Sequence, residues 1–499
     1  MSIVIFFRIA LSCDSLINQR FILGAQSMVG LVGTARVFNH HINLGYYWLA
    51  LIDAVIFACA SVAGAALYFL NVPGGLSANV SNLPLQAAIF AVVTTLCMFS
   101  MGLYEPRLRE GVNGILLRTA GAFGLMTVAM SLVFYMLPEL RLWRGNFAMS
   151  ATIALAGALT NRLVWTRFLD LEQLKRRVLI LGSGNTAASI NQKMRRRADR
   201  RGFRVVGYVR GNDDYSAIEG EPTLNLSEPL PEFARKYRID EIVVALDNRR
   251  DNLPQEELLK CREQGVRVLD VVDFFEQVAG KVVIKHVHPS WFTFATGFQN
   301  RNANSFAQRV FDVSIAFVLL SLTWPIMLLT IAAIWIEDGF GAPVLYRQRR
   351  VGLNGRLFDV VKFRSMSVNA ESDGKARWAT ANDSRVTRVG RVIRKIRIDE
   401  LPQILNVMAG DMAFVGPRPE RPEFVRELSE EIPYYEKRHS VKPGITGWAQ
   451  MNYPYGSTLT DAINKHEFDL YYVKHQSLFL DVLVLLQTVE VILFGKGAR

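Results

Sequence analysis

Cysteine is scarce in this chain of 499 residues: four in all, Cys13, Cys59, Cys97 and Cys261, with no CxxC pair among them. That excludes a disulfide framework and a cysteine zinc site, and it points to a reducing compartment for the globular parts. Acidic residues are outnumbered, 45 Asp and Glu against 57 Lys and Arg, which leaves a net charge of +12. Apolar residues, in contrast, are abundant: half of the chain is hydrophobic and the mean hydropathy is +0.17. Several apolar runs reach the length that a bilayer requires, about 18–20 residues. A basic surplus beside such runs reads as a surface for anionic lipids and phosphorylated substrates, with no nucleic acid expected.

Residues 1–45 read as a cytoplasmic N-terminal segment, with Met28 as an alternative start to Met1. Residues 46–166 hold four transmembrane candidates, 46–70, 83–103, 114–137 and 147–165. Each is long enough to span with some tilt. Arg107 and Arg109 lie in the second loop, and Arg167, Lys175, Arg176 and Arg177 follow the fourth segment. By the positive-inside tendency, the N-terminus, that loop and everything after Arg167 are cytoplasmic, although Arg141 and Arg144 in the third loop run against the trend. A four-helix bundle follows, in which Asp53, near the start of its helix, reads as a bundle contact rather than an ion site.

Residues 177–295 alternate strands (178–181, 203–209, 241–246, 266–269) with helical stretches (231–237, 254–264). That order predicts a parallel, doubly wound, Rossmann-like α/β domain. Gly182, Gly184 and Ala187 form a GxGxxA turn between the first strand and a helix whose face carries Lys193, Arg195, Arg196 and Arg197. Such a turn lets backbone amides approach a diphosphate, so this is a candidate nucleotide site. The acidic residue expected after the second strand is displaced to Asp213, and no Tyr-x-x-x-Lys pair is present in the domain. An empty, structural fold is the equal alternative.

The next apolar run, within residues 306–336, contains Asp312 and Pro325. Arg301 and Arg309 precede it; Arg347, Arg349, Arg350 and Arg356 follow it. Positive charge at both ends suits a segment whose two ends face the same side. Proline removes a helical hydrogen bond and crowds the preceding turn, and Ser321 and Thr323 are placed to satisfy freed carbonyls. The reading is a re-entrant helix–break–helix with its bend at Pro325, with a simple kinked span as the alternative.

Residues 337–499 form a mostly helical domain. Asn354-Gly355 between two strand-like runs predicts a hairpin, and alternation puts Lys362 and Arg364 on one strand face, where two cations can clamp a diphosphate. Residues 386–398 read as an amphipathic helix with Val389, Ile393 and Ile396 as its apolar stripe, suited to a membrane surface. Asp399 and Glu400 then open a helix at 401–407, with Pro402 in its first turn. The positive end of a helix favours ionised carboxylates and bound phosphate. One carboxylate can attack phosphorus while the other holds Mg2+. Further candidates for substrate binding are Arg385, Arg418 in the proline-pinned loop 416–422, and Glu420. Loop 442–450 is a second rigid loop carrying Trp448, and 478–494 reads as a surface-lying or core helix.

Five motifs occur in order: Tyr-Arg-Gln-x-Arg-Val-Gly from Tyr346, Lys-Phe-Arg-Ser-Met from Lys362, Arg-Ile-Asp-Glu-Leu-Pro-Gln from Arg397, Val-Gly-Pro-Arg-Pro-Glu from Val415 and Lys-Pro-Gly-Ile-Thr-Gly from Lys442. With them the chain resembles the bacterial polyprenyl-phosphate sugar-phosphotransferases of exopolysaccharide synthesis, the large monotopic phosphoglycosyl transferases. The resemblance implies transfer of a sugar 1-phosphate from a UDP-sugar to undecaprenyl phosphate, with release of UMP. It implies Asp399 as nucleophile through a phosphosugar-aspartyl intermediate and Glu400 as the Mg2+ ligand. Lys362, Arg364 and Arg418 would stabilise phosphates or the uridine end, and Pro325 would shape the bend. Trp324 stands where the family often has serine before this proline. The resemblance further implies an inner-membrane location with the site on the cytoplasmic face. A homodimer and other polysaccharide-assembly proteins are the expected partners. The rival readings are a membrane-anchored nucleotide-sugar epimerase or dehydratase, and a non-catalytic scaffold of an export complex.

Overall fold

The computed structural model describes residues 34–494 apart from short internal stretches, the longest being 371–382. The N-terminal segment up to 33, Arg107, Arg109, Arg195, Arg196, Arg197, Asp213 and Arg301 lie outside the described residues. Two compact units divide the chain, with the main boundary between Ala279 and Gly280.

The first unit contains four long helices, α1 (Leu44–Phe69), α2 (Leu83–Ser100), α3 (Val112–Met136) and α4 (Arg144–Leu169). Each contains an apolar stretch long enough to cross a membrane. Helices satisfy their own backbone in lipid, so these runs need only side-chain complementarity to associate. Gly64 supplies it between α1 and α4: a Cβ there would sit 2.3 Å from the Ser150 hydroxyl. Asp53 is a bundle contact, as its position suggested. It accepts from the Tyr104 hydroxyl at 2.8 Å and Asn161 Nδ2 at 2.7 Å, and pairs with Arg162 at 3.1 Å. Arg162 also donates to the Leu103 carbonyl, and Arg118 to the Met101 carbonyl at 2.8 Å. These two intramembrane arginines escaped the sequence reading; they satisfy carbonyls just past the end of α2.

The α/β part of this unit runs β1 (Arg176–Leu181), α5 (Asn185–Lys193), β2 (Phe203–Val209), β3 (Thr223–Leu224), α6 (Leu230–Lys236), β4 (Glu241–Val244), α7 (Gln255–Glu263), β5 (Arg267–Asp270) and α8 (Val271–Ala279). The sheet is parallel throughout in the order β3-β2-β1-β4-β5. Val178, Leu179 and Ile180 of β1 and Ile242 and Val243 of β4 are buried, as central strands covered on both faces must be. Gly182 turns the chain out of β1 at φ +129°, and a Cβ there would lie 2.3 Å from the Ala245 carbonyl oxygen, so the position accepts only glycine. The unit ends with α8 at Ala279, earlier than the edge expected at 295. Residues beyond it join the second unit: Val282 N donates to the Glu467 carbonyl at 2.9 Å, and Lys281 pairs with Glu467 at 2.9 Å.

The second unit comprises α9 (Asn302–Asp338), β6 (Leu345–Val351), β7 (Leu357–Phe363), α10 (Arg388–Lys395), α11 (Gln403–Ala409), β8 (Ala413–Val415), α12 (Pro422–Glu431), β9 (Gly444–Thr446), α13 (Leu459–His475) and α14 (Leu478–Phe494). The hairpin β6–β7 is antiparallel, with Asn354 and Gly355 in its turn at φ 53° and 76°, the left-handed values that Asn-Gly accommodates. Its Phe363 packs with Ile334 and Ile393 into a core that Met327, Ile331, Val344 and Val389 complete. The apolar stripe of α10 is therefore corrected: Val389 and Ile393 face the protein, not a membrane. Ile396 lies beyond the end of α10 and is exposed, as is Val392. The stripe turned inward because α9 and β7 offer it an apolar surface of the same unit.

α9 also differs from expectation. It is helical without interruption from Asn302 to Asp338, with Pro325 inside. A proline forfeits one hydrogen bond, whereas a full break in apolar surroundings would strand several polar groups. Thr323 donates its hydroxyl to the Leu319 carbonyl at 2.7 Å, and Thr330 to Ile326 at 2.8 Å. Both ends of α9 are held by the same unit. Near its start Gln308 donates to Asp481 of α14 at 2.6 Å, Arg309 donates to the Val407 and Met408 carbonyls, and Asp312 accepts from Phe414 N at 3.1 Å. At its end Glu337 accepts from the amides of Arg388 and Val389 at 2.7 and 2.9 Å, and Asp338 pairs with Arg364. Phe317, Leu322 and Leu329 between these ends are exposed.

The two rigid loops meet backbone to backbone. Strands β8 and β9 pair in parallel, Ala413 opposite Gly444 and Val415 opposite Thr446. A Cβ on Gly444 would fall 2.1 Å from the Gly416 amide nitrogen, and one on Gly416 2.3 Å from the Lys442 carbonyl oxygen. Trp448 is buried beneath them, stacked on Tyr471 and donating to the Gly280 carbonyl at 2.8 Å. Because backbone rather than a flexible side chain blocks the added carbon, Gly444→Ala should cost about 2–3 kcal/mol. The expected readout is a lower midpoint in thermal unfolding of detergent-solubilised protein; an unchanged midpoint would contradict the close approach.

Candidate active site

Helix α10 ends at Lys395, and Arg397 then takes the left-handed conformation, φ 59°, before a single 3-10 turn, Ile398–Glu400. A non-glycine residue there is unusual and reverses the chain sharply. Pro402 caps the start of α11, two residues later than expected, so the dyad occupies a tight turn ahead of the helix. Asp399 and Glu400 are each only 9% exposed. Burying two adjacent carboxylates demands compensation.

Glu400 receives it from three elements. Lys362 of β7 reaches its Oε1 at 3.0 Å, Arg418 reaches the same oxygen at 2.9 Å, and Arg397 stands 3.6 Å from Oε2. Lys362 is positioned by Asn406 of α11, whose Oδ1 accepts from Val361 N at 3.0 Å and whose Nδ2 donates to the Asp359 carbonyl at 2.7 Å. The backbone around Arg418 is fixed carbonyl by carbonyl. Pro417 accepts from Gly444 N at 3.0 Å, Arg418 from Arg438 Nη2 at 2.9 Å and Pro419 from Arg350 Nη1 at 3.1 Å. Arg438 is buried, paired with Asp469 at 2.9 Å, and donates to the Tyr435 hydroxyl at 2.6 Å. Arg397, Asn406 and Arg438 were not among the sequence candidates. The i,i+3 spacing of Arg397 to Glu400 was the one available signal; the other two act across tens of residues.

The electrostatics separate the two carboxyls. Burial pushes Asp399 up to about 6, with the neighbouring Glu400 charge adding to it against Lys362, Arg397 and Arg394. Burial also acts on Glu400, but Lys362, Arg418 and Arg397 outweigh it and hold that carboxyl well below the usual range. Asp399 Oδ1 is buried without a hydrogen-bond partner. An orphan carboxylate oxygen next to a neutralised partner marks a site awaiting a ligand or reaction.

The remaining candidates are distributed differently. Arg364 pairs with Asp338 instead of sharing the Lys362 face, because β7 ends at Phe363 and strand alternation no longer applies one residue later. Arg385 pairs with Asp383 at 2.6 Å, which draws that carboxyl down to about 2. Glu420 lies 3.5 Å from Arg350. In the α/β part, the amides that a diphosphate would meet at Gly182-x-Gly184-x-x-Ala187 are engaged: Asn185 N and Thr186 N each donate to Asp247 at 2.8 Å.

Two family models match: "Bacterial sugar transferase" over residues 303–495 and "CoA-binding domain" over residues 100–269. The chain is 31% identical over 432 residues to the UDP-glucose:undecaprenyl-phosphate glucose-1-phosphate transferase of Xanthomonas campestris pv. campestris, covering 82% of this chain and 87% of that protein. This chain belongs to the bacterial sugar transferase family. A further relative is the UDP-N-acetylgalactosamine-undecaprenyl-phosphate N-acetylgalactosaminephosphotransferase of Aeromonas hydrophila, 42% identical over 259 residues, 51% of this chain and 60% of that protein. The UDP-galactose-lipid carrier transferase of Erwinia amylovora is 27% identical over 480 residues, 90% of this chain and 96% of that protein. The family assignment makes the chain an enzyme of the sugar-phosphate transferase class, and its long apolar helices are consistent with a membrane-embedded protein. Three relatives name three different sugars, so membership alone does not select the donor.

In this sugar transferase the Asp399 shift carries a stability consequence. A carboxyl raised above its unfolded value contributes stability below about pH 4, and that stability is lost as pH rises through about 6. Asp399→Asn lacks the penalty. It should unfold later than wild type, with an advantage that grows from pH 4 to 6, levels off above, and reaches on the order of 2 kcal/mol. Paired thermal melts across that range are the check; a variant less stable than wild type at pH 8 would contradict the electrostatic account.

Proposed function

We propose that this protein transfers a sugar 1-phosphate from a UDP-sugar to undecaprenyl phosphate through a covalent intermediate on Asp399, as the initiating step of exopolysaccharide synthesis. The observation that carries the reading is the unpartnered, buried Asp399 oxygen beside a Glu400 charge balanced by Lys362, Arg418 and Arg397. An ionised Asp399 oxygen attacks the β-phosphorus of the donor. The new bond is an acyl phosphate, and the bond that breaks joins that phosphorus to the bridging oxygen, which leaves with UMP. A phosphate oxygen of undecaprenyl phosphate then attacks the same phosphorus, releasing Asp399 and forming undecaprenyl-diphosphate-sugar. Splitting transfer into two displacements lets a water-soluble donor and a lipid acceptor use one nucleophile in turn. Lys362 and Arg418 lie where they can move from Glu400 to the diphosphate as its charge develops.

Mg2+ fits the donor set of this turn. Among the described residues no group of three or more His, Cys, Asp or Glu gathers to hold a metal. Mg2+ commonly takes one or two carboxylates and completes its shell with water and substrate phosphates. Glu400 would hold it, since its Oε2 faces Arg397 only at the looser distance of 3.6 Å. When bound, the ion neutralises diphosphate charge.

The grip of one unit on both ends of α9, with arginines flanking both, supports a helix whose two ends lie on one side of a membrane with its exposed apolar middle turned to lipid. That side is the cytoplasmic one, where UDP-sugars are found. The rival epimerase or dehydratase reading loses ground, because Asp247 already satisfies the amides that its cofactor would need.

The test is release of UMP by purified protein given Mg2+, undecaprenyl phosphate and a panel of UDP-sugars. Wild type should release UMP with one donor, Asp399→Asn should fall by at least about a thousandfold, and chelation of Mg2+ should stop the reaction. Absence of UMP with every donor, from folded protein, would overturn the reading. Turnover should rise as pH climbs through about 6, where Asp399 ionises.

A further inference from the structure

The two helices that flank the Asp399–Glu400 turn are each tied at their outer end to the membrane helix. Arg309, near the start of α9, donates from one guanidinium nitrogen to the Val407 carbonyl and from another to the Met408 carbonyl, in the last turn of α11. Glu337, at the other end of α9, accepts from the amides of Arg388 and Val389, the first of α10, at 2.7 and 2.9 Å. Both contacts match the helix dipoles they meet: a cation at a C-terminus and an anion at an N-terminus. Between the two tethered helices lie Ile396, the left-handed Arg397, the turn Ile398–Glu400 and the Leu401–Pro402 step. The spacing of Arg309 and Glu337 along one continuous helix therefore bears on the separation and tilt of α10 and α11, and the turn between them takes up any change.

We propose that Arg309 and Glu337 are positioning residues: the membrane helix clamps α10 and α11 from their far ends and so holds the Asp399–Glu400 turn in its reactive geometry. The inference rests on the transferase reading for its kinetic consequence but not for its structural one. Neither side chain lies among the contacts of Asp399 or Glu400, so each acts through backbone. Three cations converge on Glu400 from separate elements, and a shift of about 1 Å at the turn would misplace them. Lipid that alters the course of α9 would then be felt directly at the site.

The experiment compares Arg309→Met, Glu337→Gln, the double variant and the conservative Arg309→Lys in the full-length protein, with two readouts. Amide hydrogen exchange over residues 397–403 needs no substrate. It should quicken in both single variants and stay near wild type in Arg309→Lys. With wild type active in the same assay, kcat should fall about tenfold in each single variant, KM for the UDP-sugar should stay within about twofold, and the double should fall far less than the hundredfold product. Unchanged exchange at 397–403, or a lower melting temperature with wild-type kcat, would overturn the clamp. So would a double variant that shows the full product. A silent wild type with quickened exchange in the variants would count against the transferase reading and leave the clamp standing.

Discussion

Two adjacent buried carboxylates cannot both stay charged unless cations answer at least one of them, and the second unit of this protein is organised around that constraint. Lys362 comes from a hairpin, Arg418 from a loop pinned by prolines and by a glycine–glycine backbone contact, and Arg397 from the left-handed position that leads into the turn. Each must be delivered by a different element because one element cannot surround a carboxylate. Glu400 is thereby secured as an anion, and the remaining imbalance falls on Asp399. A group kept part-way towards protonation by its surroundings loses that penalty when it gives its charge to a bond with phosphorus. Stability and reactivity therefore pull in opposite directions at this residue.

The same logic explains how much was legible beforehand. Patterns that depend on near neighbours were readable. Asn354-Gly355 marked the hairpin and alternating β and α runs marked the parallel sheet, whereas the helix expected at 401–407 starts two residues later and leaves the dyad in a 3-10 turn. Lys362 lies on β7, where strand alternation holds as far as Phe363, and Arg364 finds a different partner because alternation stops there. The stripe of α10 was correctly seen as apolar, but its partner was not, since Ile334 and Phe363 come from elsewhere in the chain. Asp247 lies some sixty residues from the amides it caps, and Asp469 some thirty from Arg438. Such pairings are set by tertiary packing, and no local period reports them.

Membrane and chemistry meet in α9. It is continuous through Pro325, yet both of its ends bond to the unit that carries the dyad. At about 1.5 Å per residue, a helix of this length greatly exceeds the thickness of a hydrocarbon core. On the proposed function, the exposed apolar middle of α9 meets lipid and the dyad lies at the level of the headgroups. That location suits the chemistry proposed, in which a phosphate carried by a lipid must reach the same aspartate as a soluble nucleotide sugar. The proposed step draws on no residue of the α/β domain. Its glycine turn is explained by close strand-to-strand approach and by an internal carboxylate at its amides.

The central claim is that Asp399 becomes covalently attached to sugar phosphate. The most direct test is mass spectrometry of the protein quenched in acid shortly after mixing with its UDP-sugar and Mg2+, without lipid acceptor. The account predicts an added mass equal to one sugar phosphate, carried on the peptide containing Asp399, absent from Asp399→Asn and lost when undecaprenyl phosphate is supplied. UMP formation with lipid present but no added mass at any time, or the same added mass in Asp399→Asn, would contradict it.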